Sequence, residues 1–250
     1  MQRREFSIKT STAATALAAA SVWGSAARAQ GAKPVEGIDY LTLDKSAPTE
    51  AAGKIEVVEF FWYSCQHCNR FEPQLDEWAK RMQPDTVLRR APVSFRPDFE
   101  PQQRLYFVLE AMGKVGELHK KVFSAIHVEK QLLNTPELVA DWAEKQGLNR
   151  AKFTEAYNSF PVATKSRKAT ALQDAFKVDG VPSLGVAGKY FTSGSIAQTM
   201  ERALLVTDYL VGLARSSGAV PAAKTEPKKA APATKPAAKP GAKPADKPAA

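Results

Sequence analysis

The sequence predicts an α/β fold interrupted by a block of helices, and three observations carry that prediction. Residues 54–93 read strand, helix, strand. From about 105 to 176 the apolar residues keep helical spacing with no strand between them. Strand character returns at 183–191, and one more helical segment follows.

The first strand is Lys54–Trp62, rich in β-branched and aromatic residues; its near-continuous apolar end suits a central strand covered on both faces. Phe71, Leu75, Trp78 and Met82 then fall on one face of a helix. Thr86–Val93 supplies the second strand of a βαβ unit. Leu105, Val108, Leu109, Met112 and Val115 recur every three or four residues, and Leu118, Val122, Phe123 and Ile126 continue that spacing past Gly113 and Gly116. Thr135-Pro136 is an N-cap with proline at the first helical position, and Gly147 a stop. Asn149 caps a segment containing Phe153, Tyr157 and Phe160, and a further helix is predicted from about Val162 to Phe176. Ser183–Val186, a turn at Ala187-Gly188 and Lys189–Phe191 make a hairpin, and the last helix is expected to start near Ser195 and to bury Ile196, Met200, Ala203, Leu204 and Leu210.

Both ends of the 250-residue chain differ from this middle. Ala, Lys and Pro fill 26 of the 32 positions from 219 to 250, too little apolar surface for a core. Residues 1–29 read as a signal peptide: a basic start, 18 uncharged residues at 10–27, then Ala27-Arg28-Ala29 as the cleavage pattern, with cleavage near Ala29. Eight Ala and six Ser or Thr among those 18 make a membrane span unfavourable. Arg3-Arg4-Glu5-Phe6 also resembles a twin-arginine signal, with Gln2 and Ser7 departing from the usual pattern; the ordinary secretory route stays open. The division expected is 1–29 signal peptide, 30–96 and 176–216 the two parts of one α/β domain, 97–175 a helical insertion, and 217–250 a disordered tail. The net charge of +9 sits mostly in the two ends: the leader carries +3, the tail +5 and the middle +1. A nucleic-acid-binding core is therefore disfavoured.

The only cysteines are Cys65 and Cys68, which excludes a disulfide-stapled scaffold. The three histidines, His67, His119 and His127, lack finger-like spacing to the pair, so no metal is called for. The CxxC falls where strand turns into helix. There the free N–H groups of the first turn and the helix dipole favour a thiolate on the first cysteine. Cys68, one turn inward, is placed to resolve a mixed disulfide, and His67 to add a hydrogen bond or partial charge near Cys65. Inert buried thiols or a static disulfide are the alternative reading of the pair, a surface residue without a role that of His67. Glu59 lies inside an apolar strand, costly unless paired or protonated, unless it is a strand-end acid that reaches solvent.

Val58-Glu59-Phe60-Phe61-Trp62-Tyr63-Ser64-Cys65-Gln66-His67-Cys68, together with Gly180-Val181-Pro182-Ser183, resembles the DsbA family of periplasmic disulfide oxidases over roughly residues 38–214. The resemblance implies a thioredoxin fold carrying an inserted all-helical domain. It implies that Cys65 and Cys68 are the redox pair, that His67 raises oxidising power, and that Val181-Pro182 is a cis-proline site where Val181 pairs with substrate backbone. Glu59 matches the buried acid beneath the active site, and Arg90 falls where the family often has lysine, although Arg89 beside it is open to the same role. Two departures stand out: Gln66 replaces the usual proline, and the Lys/Ala/Pro tail has no counterpart. Pro73, inside the predicted helix, should kink it.

The activity implied is donation of the Cys65–Cys68 disulfide to exported proteins with free cysteines. No cofactor is implied. The partners implied are a membrane quinone-linked reoxidant resembling DsbB and the substrates themselves, for a monomeric periplasmic protein. A reductase or isomerase on the same fold is the first alternative, although the roughly 24 residues between the mature start and Lys54 leave no room for a dimerisation domain. A redox-inactive or metal-binding module is the second, and the lack of further Cys, His or Met clusters weighs against it. Phe61, Trp62 and Tyr63 are candidates for a shallow peptide groove, with core packing the equal alternative for Phe61.

Overall fold

A computed structural model describes residues 33–218; the predicted leader and the tail beyond Gly218 lie outside the described residues. One mixed sheet of five strands runs in the order β1-β5-β4-β2-β3. The strands are β1 (Leu41–Thr42), β2 (Ile55–Phe61), β3 (Thr86–Pro92), β4 (Ser183–Val186) and β5 (Tyr190–Ser193). Helix α1 (Gln66–Lys80) links β2 to β3, which pair in parallel with Glu59 opposite Arg90. Between β3 and β4 lie a short 3-10 turn (Pro97–Phe99) and helices α2 (Glu100–Ala111), α3 (Val115–His127), α4 (Pro136–Lys145), α5 (Arg150–Tyr157) and α6 (Phe160–Ala175). Helix α7 (Met200–Ser216) follows β5.

All seven residues of β2 are buried, as its unbroken apolar pattern requires. Alternation sends Ile55 and Val57 toward Phe71, Leu75 and Trp78 of α1 and Val206 and Leu210 of α7. Val58 and Phe60 point the other way, to Leu172 and Phe176 at the end of α6. Each such side chain contributes about 1.5–3 kcal/mol of burial, enough to hold two glutamates, Glu56 and Glu59, inside the same strand. Gly185 of β4 is there for space: a Cβ would stand 2.5 Å from the Phe176 ring.

The helical stretch from 105 to 126 is two helices. Gly113 takes φ +67°, a left-handed conformation that ends α2 and lets α3 begin at Val115. Three caps in the insertion are side-chain oxygens. Thr135 accepts from the Leu138 N–H at 3.3 Å, Asn149 from Lys152 at 3.0 Å and Ser159 from Val162 at 3.4 Å. The insertion has its own core of Leu105, Leu109, Val122, Trp142 and Phe153, and this core continues onto Phe61, Tyr63 and Cys68. The block of helices is thus packed directly beneath the CxxC.

Three details differ from the sequence reading. Phe160 belongs not to the segment that Asn149 caps but to α6, whose cap is Ser159. The last helix begins at Met200, not near Ser195. Residues 195–198 form a turn in which Ser193 Oγ accepts from Ile196 N and Gln198 takes φ +74°, and Thr199 is the true cap. Strand β1 has no signature in the sequence, because two residues paired antiparallel to β5 are too short to show alternation.

Candidate active site

Cys65 is the N-cap of α1 and Cys68 sits in its first turn. The two sulfurs are unbridged. Cys68 N–H points at the Cys65 sulfur at 3.3 Å. That sulfur in turn lies 3.5 Å from the Val181 carbonyl oxygen, to which its thiol form donates. The Val181–Pro182 peptide is cis. Val181 is half-buried and Pro182 fully so, which leaves the Val181 backbone beside the reactive sulfur.

The two sulfurs differ sharply in acidity. The Cys68 thiol hydrogen bond, the backbone N–H groups of Cys68 and His67 and the charge of Arg70 together bring Cys65 down to about 7, against the opposing effect of its partial burial. Burial, then the bond and charge it shares with Cys65, push the fully buried Cys68 well above the ordinary thiol value. The His67 ring is exposed and accepts from Arg70 Nη2 at 2.9 Å, so its imidazole holds Arg70 while its backbone serves Cys65.

Beneath the pair lies a buried charge network. Glu59 is wholly buried; its Oε2 lies 3.1 Å from Arg90 Nε, but neither oxygen has a hydrogen bond of good geometry. Arg90 turns its better-aligned donors on Glu72, at 2.9 Å and 3.3 Å, and on Asp76 at 3.0 Å. Burial first, and then the nearby Glu72 charge, hold Glu59 well above the usual carboxylate range, with Arg90 only partly offsetting them. For Glu72 burial pulls the same way but loses: bonds and charges from His119 and Arg90 leave its carboxyl below the ordinary value. Arg89, the other candidate on β3, faces away, bridging Glu50 at 3.0 Å and Glu56 at 3.5 Å. Glu59 therefore does not reach solvent, and Arg90 is the cation beside it.

Of the three aromatic groove candidates, Phe61 and Tyr63 are entirely buried and belong to the core. Trp62 alone is half-exposed, stacked on Phe99 with ring centroids 3.9 Å apart. The surroundings also include residues that the sequence reading did not single out for the site: Arg70, Glu72, Gln102, His119 and His127. A signal was present in His119, Phe123 and His127, which recur every four residues along one stripe of α3.

A dithiol on a helix N-terminus, one sulfur activated and the other buried, facing a cis X–Pro on a thioredoxin-like sheet, defines a thiol–disulfide oxidoreductase. The DSBA-like thioredoxin domain matches residues 56–205. The thiol:disulfide interchange protein DsbA of Bordetella parapertussis is 40% identical over 200 residues, covering 80% of this chain and 93% of the relative. That of Pseudomonas aeruginosa is 39% identical over 202 residues, covering 80% and 94%. The crystal structure of Pseudomonas aeruginosa DsbA superposes with a TM-score of 0.71 at 37% identity, over 74% of this chain and 96% of that one. DsbA from Xylella fastidiosa gives 0.68 at 30% identity, over 73% and 98%. The chain belongs to the DsbA family and is a protein thiol:disulfide oxidoreductase whose redox pair is Cys65–Cys68.

Proposed function

We propose that the protein works as a periplasmic disulfide donor, with each site residue in a defined role. A substrate thiolate attacks the Cys65 sulfur of the oxidised pair, forming a mixed disulfide and breaking the Cys65–Cys68 bond. Cys68 leaves as a thiolate whose buried position favours the protonated form, and Glu59, held protonated by burial, supplies that proton from below. A second substrate thiolate attacks the substrate sulfur of the mixed disulfide and releases Cys65 as a thiolate. The substrate has then lost two electrons, and the enzyme holds them as its dithiol. A quinone-linked membrane oxidase resembling DsbB returns the pair to the disulfide.

The observation that carries this reading is the asymmetry of the two sulfurs. Cys65 at about 7 is a good leaving group and a stable thiolate, which draws electrons onto the enzyme. His67 contributes its backbone N–H and holds Arg70 beside the sulfur. Val181 and Pro182 present a backbone edge on which an extended substrate segment lies next to Cys65. The chain acts as a monomer. The leader delivers it to the periplasm, where it is removed near Ala29. Among the described residues no helix is long and apolar enough to cross a membrane.

The test is the redox equilibrium of the mature protein against glutathione, followed by tryptophan fluorescence with Trp62 as reporter. A potential above about −180 mV, toward the roughly −120 mV of DsbA itself, supports a disulfide donor. A value near the roughly −270 mV of thioredoxin would move the chain to the reductase reading.

A further inference from the structure

The loop that delivers the chain from β2 into the CxxC is held almost entirely from outside the sheet. Gln102, on α2 and 2% exposed, grips Ser64 twice: its Oε1 accepts from Ser64 N–H at 3.0 Å, and its Nε2 donates to Ser64 Oγ at 2.7 Å. His119 and His127, both on α3, hold Tyr63 at opposite ends. His127 Nε2 donates to the Tyr63 carbonyl at 2.8 Å. His119 Nδ1 meets the Tyr63 hydroxyl at 2.8 Å, and its Nε2 meets Glu72 Oε1 at 3.0 Å.

The protonation of that last chain follows from its ends. An ionised Glu72 can only accept, so His119 Nε2 carries the proton; the neutral ring then leaves Nδ1 to accept from the tyrosine. Every link is satisfied, and His119 is 4% exposed and ringed edge-on by Phe61, Tyr106 and Phe123. A side-chain network that is buried and complete is stiff, because leaving any partner unpaired there is costly.

We propose that the helical insertion positions the reactive cysteine: Gln102, His119 and His127 clamp Tyr63 and Ser64 and so hold the Cys65 sulfur over the first turn of α1. The physical case is one of leverage. Residues 63 and 64 immediately precede Cys65, and its sulfur depends on backbone N–H groups whose worth as donors falls steeply with distance and angle. Among the described residues, the other backbone ties on this approach stay local: Cys65 N–H bonds the Trp62 carbonyl at 3.0 Å, and the Trp62 backbone bonds the Cys68 sulfur. Gln102, His119 and His127 are thus positioning residues, and the reactivity of the dithiol is set in part by elements that lie between β3 and β4 in the chain.

The proposal rests on and deepens the reading of Cys65 as the sulfur that exchanges with substrate, and the experiment separates the two. Reduced mature protein and its Gln102→Met and Ser64→Ala variants are alkylated with iodoacetamide across a pH series. Peptide mapping identifies the modified cysteine, and thermal unfolding is followed in parallel. Gln102→Met removes both bonds to Ser64 at nearly constant volume; Ser64→Ala removes only the hydroxyl and is the variant expected to fold in any case. The expected result is modification at Cys65 in all three proteins. Its rate at pH 7 should fall about threefold or more in Gln102→Met and less in Ser64→Ala, as the thiol moves up from about 7. Cys65 profiles identical to the parent in a folded Gln102→Met, or in Ser64→Ala should the first not fold, overturn the clamp and leave the role of Cys65 intact. Modification at Cys68 instead of Cys65 overturns both.

Discussion

The sheet and the inserted helices meet at the CxxC, and they contribute to it in different currencies. The sheet side supplies charge: the first turn of α1, Glu59 on β2 and Arg90 on β3, with burial deciding which acid keeps its proton. The insertion supplies geometry through hydrogen bonds from Gln102, His119 and His127 to Tyr63 and Ser64, none of which is needed to balance the pair's electrons. The difference teaches that a redox centre can draw its driving force from one layer and its alignment from another. The two contributions should separate on mutation.

The largest effect expected is at the junction itself. Cys65→Ser should abolish disulfide transfer to a reduced protein substrate, by at least about a thousandfold, while leaving the fold intact. Residual turnover through Cys68 would break the assignment of the two sulfurs.

Next in size is the sheet's cation. Arg90 is mostly buried and bridges Glu59, Glu72 and Asp76, so Arg90→Met leaves the buried Glu72 carboxylate without its counterion, while Asp76 keeps Lys120. A loss of about 3–5 kcal/mol in denaturant unfolding is expected. The exposed Arg215–Asp85 pair is the control: despite a contact of 2.5 Å it lies in water, and Arg215→Ala should leave the unfolding midpoint unchanged within error.

A smaller effect is one of pH. Glu59 titrates in the folded protein well above its unfolded value, so the folded state retains a proton that the unfolded chain has already released. The stability this provides is complete below the unfolded value of about 4.3 and is lost as pH rises through the folded one. Glu59→Gln cannot ionise and should unfold at a higher temperature than the parent at pH 8, with the gap closing by pH 5. A gap that instead widens toward acid would mean that Glu59 is ionised in the fold, making Arg90 its full partner.

Much of this was legible in the sequence because it is local. The CxxC at a strand-to-helix junction, the buried β2, the Thr135-Pro136 and Asn149 caps and the hairpin turn at Ala187-Gly188 all follow from periodicity and backbone preference within a few residues. Ser195 misled for the same reason. The apolar spacing from Ile196 is a local signal, and the turn at 193–198 that displaced the helix start to Met200 depends on Gln198 adopting a positive φ, which its side chain does not announce.

The chemistry of the pair, with one sulfur at a helix end and the other a turn inside, was thus determined by adjacent residues, as was the resemblance carried by Val58–Cys68 and Gly180–Ser183. What the tertiary structure alone decided was which distant groups complete the site. Arg90 rather than Arg89 neutralises the acids because strand alternation puts Arg90 on the α1 face. Tyr63 is core rather than groove because α3 covers it. His119 reaches Glu72 across 47 positions of chain, and Gln102 reaches Ser64 across 38. Hydrogen bonds over such separations leave no period or motif in a single sequence; they exist only once the core of the insertion has been packed against the sheet.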